Sequence, residues 1–516
     1  MIGSPSKQEG WWWRKRFDFR TYLPASYTIL LSQYFPDTLG EADSNASQLP
    51  SPKHWFRVVC LCCTVAIINS MDRMAMSIAI LPMSSQYHWS DTVKGAVSSA
   101  FNVGHMISNF MVGGYLASGW ISSKTMLSWG VITWSLFTLL TPVAAGLRWL
   151  PLLILVRALM GLGEGVAFPT IQAIIKAWVP SHKRSRSLSL VFSGHQIGSI
   201  VSLLVSPSII AATGTTALFY LYGALGFLWL SFWEPMIGNH PPKAVLSDPE
   251  DEAPNLSQVF VVKDPNTSPN TSPRGSLGGC MGKGGSTGTA SSSASNVSNI
   301  KLALPASDIP WQLFLCNKCF WALLWSHSVF GIGYSTFIAW LPTYYSQSFG
   351  VDLRQSSWLS ILPFLMMAIG TNASGWIADN LINKKIMTPS KARKLLQGIG
   401  NLGPAICLMY LAMVPKQSKG SLNEAVVLLT VSLMTLGMQS GGFASTHTDI
   451  STRYASALFG ITNAGASLGG LVFVYLVGVI LDSTKSWSLV FQLVAACNFS
   501  SAITFILFAT SEPQFE

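Results

Sequence analysis

Apolar runs of about 20 residues recur along almost the whole chain, separated by short polar turns, the pattern of helices that cross a lipid bilayer. Six spans are predicted at roughly 57–80, 93–118, 124–146, 150–178, 185–212 and 215–236. Six more follow at roughly 312–345, 356–380, 391–414, 422–446, 453–482 and 486–510. Between the two sets, about 237–308 is polar and holds the Ser268–Gly279 and Ser286–Asn296 stretches. Gly, Ser, Pro and Thr in such density cannot bury enough apolar surface to fold, so this segment reads as a disordered linker.

The expected fold is therefore an all-α membrane protein with twelve transmembrane helices in two pseudo-symmetric six-helix bundles. The expected parts are an N-terminal tail (1–55), a first bundle (56–236), the linker (237–308), a second bundle (309–511) and a short C-terminal tail (512–516). The two halves repeat: Gly114–Lys124 lines up with Gly375–Lys385, each copy closing the second span of its half. Paired bundles of this kind place a transport site at the midplane between them.

Composition agrees. Of 516 residues 49% are hydrophobic and only 10% charged, with mean hydropathy +0.40, against roughly a quarter charged in soluble chains. The net charge of +10 belongs to the loops: with both ends on one face, that face holds about 23 of the Lys and Arg and the other about 6. Both termini and the linker should then face the cytosol or its topological equivalent. Acceptor-type Asn at 45, 255, 266, 270 and 296 would lie on the wrong face for glycosylation. No basic stripe with interleaved aromatics points to nucleic acid. No phosphate loop, nucleophile elbow or metal-ligand cluster points to an enzyme. Cys316 and Cys319 form a CxxC without a partner pair, read as helix packing. The tail lacks the apolar core of a secretory signal, and its Glu9, Asp18, Asp37, Glu41 and Asp43 are unlike a transit peptide. A plastid address is not excluded by this, and the membrane of residence (plasma membrane, plastid envelope or endomembrane) is left open.

Charge inside a bilayer is costly and marks function. Span 1 carries Asp72 and Arg73; span 4 carries Arg157 and Glu164, seven residues apart on one helix face and too far for a local ion pair. Gly161, Gly163 and Gly165 let a neighbouring helix come close. Read structurally, these charges are an ion network holding helices together. Read functionally, a buried arginine grips an anion bidentately while a buried carboxyl carries a proton, the pairing that cotransport needs. His105, His195, His327 and His447 also fall in or near spans. His105 is the first candidate among them for a substrate contact and His327 the second, reaching from the other half. Arg184 lies in a loop, and Asp379 and Arg393 at span ends beside one, where they would latch the halves in one conformation, or simply anchor topology.

These motifs resemble the major facilitator superfamily and, within it, the anion–cation symporters, which include sodium/phosphate cotransporters, sialin, vesicular glutamate transporters and plant phosphate transporters. In the first half the resemblance rests on Asn69-x3-Arg73-x3-Ser77, Arg157 to Pro169, and Trp178-Val-Pro-x3-Arg184. In the second half it rests on Trp340-Leu-Pro-Thr-Tyr344, Gly375 to Asp379, Arg393-Lys394, His447-Thr-Asp-Ile450 and Gly460-Ile-Thr-Asn463. It implies anion transport by alternating access, with Arg73 and Arg157 as cavity arginines and Glu164 as the protonatable carboxyl. The implied cargo is inorganic phosphate or a small organic anion. The coupling ion is H⁺ or Na⁺ with no other cofactor, and the working unit a monomer in the bilayer. The alternative is a non-transporting receptor or scaffold on the same fold. Ser118 stands where the family's first-half loop motif is usually acidic, and after Phe101 the chain reads Asn-Val-Gly-His105 where members usually carry Phe-Trp-Gly-Tyr, so His105 and Val103 are expected to reshape one cavity wall. No span-7 arginine of the glutamate-transporting kind is present.

Overall fold

A computed structural model describes residues 52–118, 122–237, 311–413, 421–451 and 454–515. Residues 1–51 of the N-terminal tail, 238–308 of the linker and the five acceptor-type Asn residues named above lie outside them, while Pro52–Trp55, expected in the tail, begin the first helix. The described regular structure is helical throughout. The first half comprises α1 (Pro52–Tyr87), α2 (Asp91–Ser118), α3 (Ser123–Gly146), α4 (Leu150–Gly165), α5 (Ala167–Trp178), α6 (Ser181–Thr213) and α7 (Thr215–Met236). The second comprises α8 (Trp311–Cys316), α9 (Lys318–Phe349), α10 (Leu353–Asn383), α11 (Pro389–Met413), α12 (Ser421–Met438), a 3₁₀ turn (Gln439–Gly441), α13 (Phe443–Ile450), α14 (Ala455–Thr484) and α15 (Trp487–Phe508).

Ten of the described segments are long and apolar enough to cross a membrane, with α4 and α5 forming one and α12 to α13 another. The α2 and α9 helices, of 28 and 32 residues, are also long enough but more polar, and complete the twelve. Their polarity follows from position: α2 packs on α4 and on α14 of the other half, and α9 on α14 and α1. A helix surrounded by protein need not present hydrocarbon to lipid.

Local chemistry sets the element ends. Asn317 caps α9 with its side-chain oxygen accepting from the Cys319 and Phe320 amides at 2.8 and 3.4 Å. The same helix stops at Gly350, whose φ of +66° is left-handed and cheap only for glycine. Cys319 is buried with Sγ 3.8 Å from the Thr510 carbonyl, while Cys316 is exposed.

Two spans expected to be continuous are broken. The fourth parts at Val166, between α4 and α5, beside Gly163, Gly165 and Pro169. The tenth parts at Gln439–Gly441, where Gly441 and Gly442 allow a tight turn. The buried Gln397 side chain holds that turn, donating to Gln439 Oε1 at 3.1 Å and accepting from the Phe443 amide at 3.0 Å. Breaks of this kind are tolerated at membrane depth because protein groups take up the freed backbone.

Candidate functional site

The site grows from one close helix crossing. A Cβ on Gly161 would collide with the Phe101 carbonyl, and one on Gly104 with the backbone of Ala158, so α2 and α4 touch main chain to main chain. This contact carries Phe101 into the space between α1 and α4. The Arg73 guanidinium carbon stands 4.9 Å from the Phe101 ring centre and that of Arg157 5.9 Å from it, so the two arginines share one aromatic ring.

Both arginines are held without being neutralised. Among the described residues no carboxylate makes an ion pair with either. Arg157, 2% exposed, donates from Nη1 to Met160 Sδ at 2.8 Å, and its Nε has no partner. Arg73 stacks on Phe101 and, from the second half, on Tyr334 at 5.5 Å. Glu164 is 3% exposed with Oε1 unpartnered, and Asp72 is fully buried with both carboxylate oxygens unpartnered. The four charges interact electrostatically with one another. The Asn69 side-chain amide, one turn before Arg73, is buried and unpartnered too. So many unsatisfied groups in one volume are costly unless something else occupies it.

The histidines divide. His105 lies 5.6 Å from Phe101, with Nδ1 3.1 Å from Ser467 Oγ and from the Asn109 side-chain amide. Asn463 donates to Asn109 Oδ1 at 3.0 Å, so this quartet ties α2 to α14 across the halves. His195 Nε2 meets the Tyr334 hydroxyl at 3.3 Å, bridging α6 and α9 above Arg73. His327 is buried with Nδ1 2.9 Å from Thr462 Oγ1, and His447 Nε2 reaches the same oxygen at 2.8 Å.

The three gating candidates, expected in or beside loops, lie at helix ends: Arg184 in the first turn of α6, Asp379 in the last turns of α10 and Arg393 in the first turns of α11. Arg393 takes Asp449 at 3.0 Å and the Gly441 carbonyl at 3.2 Å, whereas Asp379 is exposed. Arg184 Nε donates to the Val179 carbonyl at 3.0 Å, and Lys183 sits 4.6 Å over Trp55. Among the described residues no group of three or more His, Cys, Asp and Glu could hold a metal.

The structure brings Arg73, Arg157 and Glu164 into one volume, with His105 at its edge. Sequence reasoning does not single out Tyr334 or Phe101 as their partners, since a ring's place depends on helix crossings. The signal for Asp72 is present in the Asp72-Arg73 pair, but neutralisation of Arg73 is an equal reading there until the structure shows both carboxylate oxygens free of any such contact.

The sequence profile of the Major Facilitator Superfamily matches residues 62–470, and the chain belongs to this family. It is 37% identical to a probable anion transporter 4, chloroplastic, of Oryza sativa subsp. japonica, over 90% of this chain and 70% of the relative. It is 35% identical to an Arabidopsis thaliana ascorbate transporter, chloroplastic, over 89% of this chain and 76% of the relative. A sodium-dependent phosphate transport protein 1, chloroplastic, of the same plant is also 35% identical, over 89% and 80%. The crystal structure of a D-xylose–proton symporter superposes with a TM-score of 0.64 at 14% identity, covering 89% of this chain and 99% of that one, a likeness of fold.

Proposed function

We propose that this chain is a secondary active carrier of a small anion, inorganic phosphate or a small organic acid, working by alternating access. One observation carries the reading: Arg73 and Arg157 flank a single buried ring with no carboxylate paired to either, a cationic volume prepared for an anion. The plant relatives named for anion, ascorbate and phosphate transport support it. A receptor or scaffold would have no use for three buried charges beside a half-buried fourth, and an enzyme would need reactive groups of a different kind.

The coupling ion is H⁺ or Na⁺, and Glu164 favours H⁺. Glu164, buried with Oε1 unpartnered beside the two guanidiniums, offers a carboxyl on which a proton can travel with the anion, whereas no set of oxygen ligands for sodium stands out among the described residues. Arg73, Arg157, His105 and His327 are assigned to the substrate, Glu164 to the proton. Asp379, Arg393 and Arg184 are assigned to gating at the face that bears the termini. The relatives' chloroplast location supports a plastid envelope for this chain, and the excess of Lys and Arg on that face supports termini and linker on the cytosolic side or its equivalent. A monomer suffices, since both halves of the site come from one chain.

Purified protein in liposomes, offered labelled phosphate under imposed pH or sodium gradients with unlabelled organic anions as competitors, tests this. Glu164→Gln should abolish gradient-driven accumulation while protein remains in the membrane. Arg157→Ala should lower uptake at least about 10-fold, the value of one charge-assisted contact. Full pH-driven uptake by Glu164→Gln would remove the proton role, and unchanged affinity in Arg157→Ala would remove the anion clamp.

A further inference from the structure

The second half contains a buried hydrogen-bond chain that the reading above uses only at one end. Thr462 of α14 sits between two imidazoles: its Oγ1 is 2.9 Å from His327 Nδ1 on α9 and 2.8 Å from His447 Nε2 on α13. All three residues are 4% exposed or less. The Phe443 and Phe459 rings close around both imidazoles, at centroid distances between 4.5 and 6.1 Å. No carboxylate touches either ring among the described residues.

The polarity of this chain can be read from its far end. His447 Nδ1 faces the Ala444 carbonyl at 3.4 Å, and a carbonyl can only accept, so the proton of His447 sits on Nδ1. Its Nε2 then accepts; the single Thr462 proton has two acceptors in reach, this Nε2 at 2.8 Å and the Phe459 carbonyl at 3.1 Å, and either one turns that proton away from His327. The Thr462 oxygen, having given its proton away, accepts from His327 Nδ1–H. The second nitrogen of His327, Nε2, is left with a lone pair, no proton and no partner among the described residues.

His327 shares one face of α9 with Phe330 and Tyr334, at i, i+3 and i+7. Phe330 stacks on Tyr334 at 5.8 Å and 11°, and Tyr334 stands on Arg73. That face therefore runs from the arginine pair toward the face bearing the termini, with His327 two helical turns, about 10 Å, from Tyr334 along it. Arginines attract any anion. A hydrogen-bond acceptor that cannot turn into a donor discriminates among them, because it takes an anion with an O–H and repels the lone pairs of one without.

We infer that His327 Nε2, locked as an acceptor by Thr462 and His447, selects anions that carry a hydroxyl or acidic O–H, such as hydrogen phosphate or a hydroxy acid, over those of like shape and charge that carry none. Thr462 and His447 are positioning residues in this scheme. The inference rests on the anion site proposed above and names its specificity.

Two matched pairs test it: phosphate against sulfate, and lactate against propionate, as competitors and as labelled cargo in liposomes. The wild-type protein should favour the O–H member of at least one pair by about 10-fold or more. Thr462→Val, which keeps shape and removes the relay, should bring that ratio to within about 3-fold of unity, and Thr462→Ser should restore it. Nitrogen-15 NMR of histidine-labelled full-length protein in lipid, with the His327 signals assigned by their loss in His327→Gln, should show protonation at Nδ1 and not at Nε2. A His327 protonated at Nε2 overturns the inference whatever the cargo, as does a Thr462→Val protein with undiminished preference. Wild-type protein that moves all four anions equally defeats the inference and leaves anion transport standing. Protein that moves none of them, though folded, defeats the anion site itself and the inference with it.

Discussion

Gly161 has no side chain to offer, and that is its contribution. Its Cα faces the Phe101 carbonyl at a distance where any Cβ would overlap, so Gly161→Ala must push α2 away from α4. Overpacking of this kind costs about 1–3 kcal/mol, and here it also moves Phe101 off the arginines. The expected outcome is a lowered thermal midpoint in detergent together with weakened anion binding. A midpoint and affinity equal to the wild type would show that α4 can shift freely at this crossing. At this scale the sequence is informative about charge and poor about neighbours. Arg157 and Glu164 stand out because apolar runs do not tolerate charge without a reason, and the glycines around them mark a close approach. Phe101 does not stand out, since an aromatic in a span is ordinary until a crossing puts it between two guanidiniums. Tyr334 is hidden for the same reason, being brought to Arg73 from the other half of the chain.

The elements show a parallel limit. Apolar periodicity finds the twelve crossings within a few residues, because every segment in lipid must satisfy its backbone by helix. It misses the one-residue interruption at Val166, where the backbone stays helical, and the break at Gln439–Gly441, which is stabilised by groups remote in sequence. The second break depends on Gln397 of α11, whose side chain both donates to Gln439 and accepts from the Phe443 amide, while Gln439 in turn donates to the Gly400 carbonyl at 2.9 Å. Gln397→Leu fills the same space but strands a buried amide and a buried side chain, at about 1–3 kcal/mol for each group left unpaired. Since α13 carries His447 and Asp449, the substitution should lower the thermal midpoint and also loosen the Arg393–Asp449 pair, read as faster hydrogen exchange over 443–450. Exchange at the wild-type rate would mean that α13 is held by its packing on α14 and α9.

Over the whole molecule, the two halves are joined most firmly at the face away from the termini. There the Asp482 carboxylate, near the end of α14, accepts from the Asp91 and Thr92 amides at 3.0 and 2.7 Å, capping the N-terminus of α2 from the opposite half. Gln347 of α9 donates to Asp91 Oδ1 at 3.0 Å, Lys94 pairs with Asp91, and Lys485 lies 3.5 Å from Asp482. Gly95 and Gly478 bring the two helices into backbone contact behind this cap, and the seam continues inward to Asn109 and Asn463. A carrier that alternates must break this seam once per cycle, so its strength sets the balance between the two faces. Removing the trans cap by Asp482→Ala takes away about 1–2 kcal/mol, a factor of roughly 5–30 in population. A cysteine at Val474, buried in the seam, reports the change: its labelling by an impermeant maleimide applied to that face should rise by a comparable factor in Asp482→Ala. Asp482→Asn, which keeps an accepting oxygen but loses the charge, should fall between the two. Equal labelling in all three would show that helix packing alone closes this face, and that the gate must be sought among Arg184, Asp379 and Arg393 at the other.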